Sequence, residues 1–568
     1  MSASRAAVPR WLLAAALCVP LLGLTSPLLE VDDARYAQVP AEMHASGDWI
    51  LPTLDGTPYV EKPPLWYWTA AASYSAFGVS EAAARFAMLL LALLGVAGAW
   101  WLGSWLYAPD IGLAAAAATA TASLWVFLTH NMTVDMPVSV FFLWTTALIL
   151  RTMARPEDAR WSAPLAWLAC ALTFLSKGLI AVLLPACWIV GLSVLFPKLR
   201  RGALKLVLSP VGIVLACAVA APWFVAMQKR RPDFYHVFFY EQHFQRYLTA
   251  KYNRGAPWWF YLAVLPAGLL PWTAPFLAGM WRAVKKPFGP DYRGPALAAW
   301  VLGVAAFFST SHSKLATYVL PVFPHACLLA VVAVEEGLPA WAERVQRTIG
   351  GLLLAVVAVF WVSAPIIRLL IRFLPQTPGV MHVTSFSLVS IPGLSDGSSR
   401  VLVALALCLI ASIGGALVAA PLTRRPAAVL AGGGALAGLF LFIGLRFAAP
   451  LVSAKDVGLA VRDEARPGDQ VWTYDTYLHG LPFYSNRLVD KILVFTGEFH
   501  YAKRDHAYDA RFGDEADLQK LPRGGGRTFV VLKTRERPHF VDVIGGGPSS
   551  IESWREFGPW SLAVVKPR

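Results

Sequence analysis

Long apolar runs separated by short polar breaks fill most of the chain. They lie at residues 11–29, 85–107, 111–129, 136–153, 162–176, 179–196, 207–228, 257–281, 296–310, 316–334, 349–371, 401–421 and 427–451. A helix that crosses a bilayer needs about 20 apolar residues. The pattern therefore predicts a polytopic α-helical membrane protein with about 13 transmembrane helices. After residue 451 the runs shorten, and charged and turn residues increase. Val457–Glu464 reads as a helix, and Gln470–Tyr474, Leu488–Phe495, Arg527–Lys533 and Trp560–Val565 read as strands. The glycine triplets at 524–526 and 545–547 read as loops. The chain thus divides into a membrane domain, 1–451, and an α/β domain, 452–568, large enough for a core of its own.

The polar break at 30–84 is patterned. Arg35–Ala45 places Tyr36, Val39 and Met43 on one face of a short amphipathic helix. Pro40 is expected to end or kink that helix, because it lacks an N–H and its ring crowds the preceding turn. Ser46-Gly47-Asp48 and Asp55-Gly56 are turn signals. Trp66, Tyr67 and Trp68 are expected at headgroup level, where amphipathic rings collect.

Composition agrees with this class. The 568 residues are 57% hydrophobic and only 15% charged. The mean hydropathy is +0.53, beyond what a soluble domain of this size needs. The net charge of +14 sits largely in alternate short loops. These carry Arg151, Arg155 and Arg160; Lys198, Arg200, Arg201 and Lys205; Arg282, Lys285, Lys286 and Arg293; Arg344 and Arg347; and Arg424 and Arg425. The positive-inside bias makes that side cytoplasmic, together with Arg5 and Arg10. Residues after 451 are then outside. No basic run is interleaved with aromatics on a soluble domain, so nucleic acid is not an expected partner. The N-terminal run is read as a retained signal anchor, since it is long and lacks a small-x-small cleavage site. The six cysteines all fall in apolar runs without pairing or metal spacing, and are expected to be small buried hydrophobes.

The opposite side has longer, aromatic loops, including 30–84 and 229–256, and it too carries cations. Lys62, Arg85, Lys177, Arg246, Lys251, Arg254 and Lys314 run against the positive-inside bias. Anionic ligands would explain them, and so would general binding to anionic headgroups. If the ends of the first and later spans face one side, Asp32, Asp33, Glu61, Lys62 and Asp135 can converge. Such a set suits chemistry on a charged lipid headgroup. Lys62 is placed to hold a phosphate, because Glu61 and Pro63-Pro64 restrict its backbone. Arg246 and Arg254 are further phosphate candidates, since guanidinium offers a fork of donors. Asp32 and Asp135 can act as base, orient an acceptor, or bind an amino group or a metal. The plainer readings are helix capping and pairing with Arg35. Glu61, His243 and His479 can form one site only by tertiary convergence. Ionisable residues gather at one face and not at mid-membrane, which favours surface chemistry over a lipid-linked-sugar flippase.

These motifs resemble the membrane glycosyltransferases of the GT-C class. The resemblance rests on Asp32-Asp33-Ala34-Arg35-Tyr36-Ala37, Gly47-Asp48-Trp49, Tyr59-Val60-Glu61-Lys62-Pro63-Pro64, Thr133-Val134-Asp135-Met136-Pro137 and Lys314-Leu315-Ala316-Thr317-Tyr318-Val319-Leu320-Pro321. Within the class the chain looks most like the bacterial lipid A aminoarabinose transferases of the dolichyl-phosphate-mannose-protein mannosyltransferase superfamily. That resemblance implies a GT-C fold with a C-terminal periplasmic α/β domain, in the bacterial inner membrane, with the site facing the periplasm. It implies an undecaprenyl-phosphate-linked sugar donor, 4-amino-4-deoxy-L-arabinose as the sugar, and lipid A phosphate as acceptor. Relatives acting on protein hydroxyls or on other lipids and polymers share the motifs. By the resemblance, Asp32 is the leading catalytic residue and Asp135 supports it. Lys62 and Arg246 contact the lipid phosphate, and Tyr318 is the family tyrosine of that segment. Glu61 and His243, with His479, would hold a divalent ion such as Zn2+, for which mixed nitrogen and oxygen ligands are suitable. Asp33 stands where many relatives carry Glu, and Pro40 interrupts a helix that is usually unbroken.

Overall fold

The computed structural model describes residues 4–249, 255–285, 287, 289–371, 395–495, 497–521, 526–545 and 547–567. Every one of the apolar runs forms helix over most of its described length. Among the described residues seven helices are long and apolar enough to cross a membrane unaided: Glu81–Leu106, Asp135–Ala154, Pro210–Arg230, Ala316–Glu335, Ala340–Trp361, Gly397–Leu422 and Pro426–Val452. Arg10–Gly23 and Ile180–Leu195 are shorter apolar helices. Two predicted runs are broken. The first divides into Pro109–Thr121 and Ser123–Leu128, the second into Phe260–Gly268 and Thr273–Lys285. The breaks meet: Ser123 donates to the Leu270 carbonyl from its N–H at 3.0 Å and from its Oγ at 2.9 Å. Each interruption thus satisfies backbone groups of the other, as a low-dielectric setting requires. Small residues allow close packing elsewhere; a Cβ on Gly103 would stand 2.8 Å from Gly112 Cα.

The helix of the first loop, Asp32–Ser46, runs straight through Pro40 and ends at Gly47, whose φ is +70°. Tyr36, Val39 and Met43 are buried on its inner face, as the pattern predicts. The expected break at Pro40 is absent because its consequence is repaired. Proline leaves the carbonyl four residues earlier without its helical donor. That carbonyl, Tyr36 O, accepts from Trp66 Nε1 at 2.8 Å instead. Trp66 and Tyr67 belong to a helix, Leu65–Phe77, and are fully buried against the first-loop helix. Trp66→Phe strands a buried carbonyl and should cost about 1–3 kcal/mol in stability. Adding Pro40→Ala restores the helical N–H, so the double variant should recover most of the loss in a thermal melt in detergent.

Asp33 has a structural place. Its carboxylate pairs with Arg85 at 2.7 Å and accepts from the Leu29 and Met132 N–H groups at 3.0 and 2.9 Å. Arg85 also donates to the carbonyls of Pro27 and His130 at 3.0 and 3.2 Å. One buried ion pair therefore joins the end of the first apolar helix, the start of the first loop and the turn before Asp135. This places Asp32 and Asp135 on the same side. The Asp55-Gly56 turn closes a two-residue hairpin between Thr53–Leu54 and Thr57–Pro58, with φ of +54° and +69°, the left-handed pair such hairpins require.

The C-terminal domain contains a six-stranded sheet ordered Phe512–Gly513, Lys491–Leu493, Gln470–Tyr474, Thr528–Lys533, Trp560–Val565, Ile551–Phe557. The first four strands are parallel and the last two pairings antiparallel. Gln470–Tyr474 and Trp560–Val565 match expectation residue for residue. Ile551–Phe557 was not expected; it lies at the sheet edge and carries charges that mask its period. The triplets 524–526 and 545–547 lie partly outside the described residues. The cysteine expectation needs correction: Cys327 is buried and Cys170 half-buried, but Cys18, Cys187, Cys217 and Cys408 are exposed on outward faces. Lipid chains accept a thiol on a spanning helix as readily as a protein core does.

Candidate active site

A cavity of about 810 Å³ opens where the first loop, the 231–248 segment and the C-terminal domain meet. Its polar wall holds Asp32, Arg35, Glu61, Lys62, Asp135, Lys177, Arg246 and Glu498. Leu179, Leu183, Phe244 and Leu248 continue it as an apolar flank. Asp32, Asp135, Lys62, Glu61, His243, Arg246 and Tyr318, all singled out from the sequence, line this one space. Arg254 lies outside the described residues.

Lys62 follows Glu61 and precedes Pro63-Pro64 at the head of the Leu65–Phe77 helix. Its Nζ donates to the Glu61 carbonyl at 3.3 Å. Among the described residues it has no carboxylate ion pair. Burial, and after it the Arg246 charge, push the ammonium down to about 7 against the pull of Glu61. Arg246 follows a ten-residue π-helix, His236–Gln245, a rare geometry found mostly at functional sites. It donates to Gln242 Oε1 at 3.1 Å, approaches Glu61 at 3.9 Å and reaches the Tyr318 hydroxyl at 3.5 Å.

Asp135 begins its helix buried, with both oxygens engaged. Lys177 pairs with one and Thr317 Oγ1 donates to the other. Lys177 Nζ also lies 4.0 Å from the centre of the Tyr318 ring. Asp135 is thus a brace that ties three helical segments together beneath the cavity. Asp32 differs. Its side chain is 40% exposed, and it bonds Arg35 in the next turn of its own helix. The other arm of Arg35 donates to Glu498 at 2.6 Å. The pairing of Asp32 with Arg35 is therefore real, yet it leaves Asp32 facing the cavity.

The expected metal ligands do not form a set. His243 is held by backbone: Nδ1 lies 2.7 Å from Phe238 O, and Nε2 lies 3.3 Å from the Leu179 N–H that it accepts. Burial pushes its pKa down. Glu61 turns towards Arg246. His479 lies elsewhere, between Glu30 at 3.5 Å and Glu498 at 3.3 Å. Among the described residues no three His, Cys, Asp or Glu side chains cluster as metal ligands. A divalent ion held by Glu61 and His243 would require His243 Nε2 to release the Leu179 N–H, while Nδ1 keeps donating to Phe238 O. A purified protein carrying one stoichiometric ion, with activity abolished by chelator, would demonstrate that rearrangement; turnover unchanged by chelator would remove the ion from the reaction.

Sequence reasoning did not single out Glu498, Thr317 or Arg35 as cavity residues. Lys177 was visible as a cation closing an apolar helix. Glu498 had no local signal, because its relevance comes only from the docking of the second domain.

A polytopic helical bundle with a charged cavity at its loop face defines a membrane protein of the GT-C fold. The comparisons narrow this. Residues 61–225 match the family model described as dolichyl-phosphate-mannose-protein mannosyltransferase. An undecaprenyl phosphate-alpha-4-amino-4-deoxy-L-arabinose arabinosyl transferase of Sodalis glossinidius is 35% identical over 56% of this chain and 56% of its own length. That of Aeromonas salmonicida is 35% identical over 59% of this chain and 63% of its own. The matched part thus spans little more than half of these relatives. The crystal structure of ArnT from Cupriavidus metallidurans bound to undecaprenyl phosphate superposes with a TM-score of 0.79 at 23% identity, covering 98% of this chain and 99% of that one. The structural likeness shows the fold, a GT-C fold, and the sequence likenesses cover part of the arabinosyl transferases named above.

Proposed function

We propose that the protein transfers 4-amino-4-deoxy-L-arabinose from undecaprenyl phosphate to a phosphate of lipid A, at the periplasmic face of the bacterial inner membrane. The observation that supports this best is Lys62: a cation without a carboxylate ion pair among the described residues, set in one cavity with Arg246 and Tyr318 at the mouth of an apolar flank. The donor's phosphate would rest on Lys62 and Arg246, with its prenyl chain along Leu179, Leu183 and Leu248. The acceptor oxygen attacks the anomeric carbon, and the bond from that carbon to the carrier phosphate breaks. The electron pair leaves on the carrier, whose phosphate gains one negative charge. Lys62 and Arg246 stabilise that developing charge in a site with restricted water. An acceptor phosphate is already anionic near neutral pH, so no strong base is required, and Asp32 orients the acceptor or the sugar's amino group. Were the acceptor a hydroxyl, Asp32 would take its proton.

Mass spectrometry of lipid A from cells with and without the protein tests this reading. An added amino-pentose in the presence of the protein is the expected result. An unchanged lipid A, with the sugar appearing on protein or another lipid, would move the acceptor to the second reading.

A further inference from the structure

The C-terminal domain contributes Gly497, Glu498 and His500 to the cavity lining, and Glu498 has a defined partner there. Glu498 stands in the short segment Gly497–His500. Its Oε1 accepts from Arg35 Nη1 at 2.6 Å. Its Oε2 faces His479 Nε2 at 3.3 Å, while His479 Nδ1 faces Glu30 Oε2 at 3.5 Å. Glu30 is fixed in turn by the His479 and Gly480 N–H groups at 2.8 and 2.7 Å. The result is a row of alternating charge, Glu30, His479, Glu498, Arg35, Asp32, that starts at the domain junction and ends at the cavity. Arg35 and His479 are almost wholly buried.

We infer that Glu498 is a positioning residue for the transfer reaction, acting through Arg35 to fix the Asp32 carboxylate in the cavity. Two physical points support this. Arg35 has long rotatable arms, and anchoring one arm narrows the positions in which the other can hold Asp32. Glu498 supplies the anchor with a short, charge-assisted contact. In addition, the domain's docking does not depend on this contact. Arg504 pairs with Glu241 through both oxygens at 2.7 and 2.8 Å, Arg231 with Asp505 at 3.0 Å, and Arg511 with Asp55 at 2.9 Å. Loss of Glu498's charge should leave the domain seated.

This inference rests on the proposed transfer reaction, and the test separates the two. Glu498→Gln keeps the shape and removes the charge. In full-length protein in detergent, with undecaprenyl-phosphate-linked aminoarabinose and lipid A, kcat should fall about tenfold while KM for the donor stays within about twofold. The melting temperature should stay near that of wild type. Glu498→Asp, which keeps the charge on a shorter arm, should recover part of the loss. Arg511→Met serves as the contrast: it weakens docking and should lower the melting temperature. Unchanged kcat in Glu498→Gln would overturn the positioning role. So would a fall in kcat that tracks the melting temperature and is not rescued by Glu498→Asp. If wild-type protein itself fails to transfer the sugar, the reaction assignment fails instead; undecaprenyl phosphate binding by wild type and Asp32→Asn, compared with Glu498→Gln, would then still report whether the cavity is intact.

Discussion

Asp32→Asn should nearly abolish turnover while leaving undecaprenyl phosphate binding close to that of wild type. The structure separates the two roles in space. Asp32 bonds Arg35 and faces the cavity, whereas the proposed phosphate contacts are Lys62 and Arg246. The amide keeps the size of the side chain but loses the charge that Arg35 and an acceptor would meet. Losing the group that orients a reacting partner costs about 10²-fold in rate. Isothermal titration with undecaprenyl phosphate and a radiolabelled transfer assay report the two quantities separately. Substantial residual turnover would move the chemistry away from Asp32. Asp135→Asn should look different, because both Asp135 oxygens are occupied by Lys177 and Thr317. Its loss should reduce stability along with rate.

Lys62→Ala should weaken lipid phosphate binding by about ten- to a hundredfold, the equivalent of about 1.5–3 kcal/mol for a charge-assisted contact. Turnover should fall with it. The displaced pKa adds a signature. The free ammonium titrates at about 7, and the phosphate binds its protonated form. Below that pH Lys62 is already charged, and its contribution is constant. Above it, binding must take up a proton, so affinity should fall by up to about tenfold per pH unit. The fall ends where the pH passes the raised pKa of the complex. Lys62→Arg keeps its charge throughout, so its affinity should lack this alkaline decline. It should recover only part of the wild-type affinity at pH 6, since a planar fork does not reproduce a compact ammonium. A wild-type affinity that does not change between pH 7 and 9 would remove Lys62 from the phosphate site.

Much of this architecture was readable in the chain. Each apolar run became helix, and Gln470–Tyr474 and Trp560–Val565 became strands with the expected bounds. These signals are local and repeat along many residues. The site was partly readable for the same reason. Asp32, Lys62, Asp135 and Tyr318 each stand at the edge of an apolar segment, and helices crossing one layer bring such edges together. What could not be read depends on partners far along the chain. Pro40 breaks a helix by local rules, and only the Trp66 indole explains why it does not. His479 has the chemistry of a metal ligand, but two carboxylates hold it in another place. Glu498 follows no motif at all.

The Arg35–Glu498 bond joins positions 463 residues apart, and the Glu30–Gly480 and Asp55–Arg511 bonds close spans of 450 and 456. Contacts this distant form last, after the intervening chain has found its place. The segment bearing Asp32 is made well before the segment bearing Glu498. The nascent chain therefore carries Asp32 for a time without the Arg35–Glu498 contact. On the proposed reaction, the Asp32 carboxylate takes its fixed place only when the domain bearing Glu498 seats. Synthesis order then acts as a timer: a chain that stalls before Glu498 lacks the anchor of its Asp32.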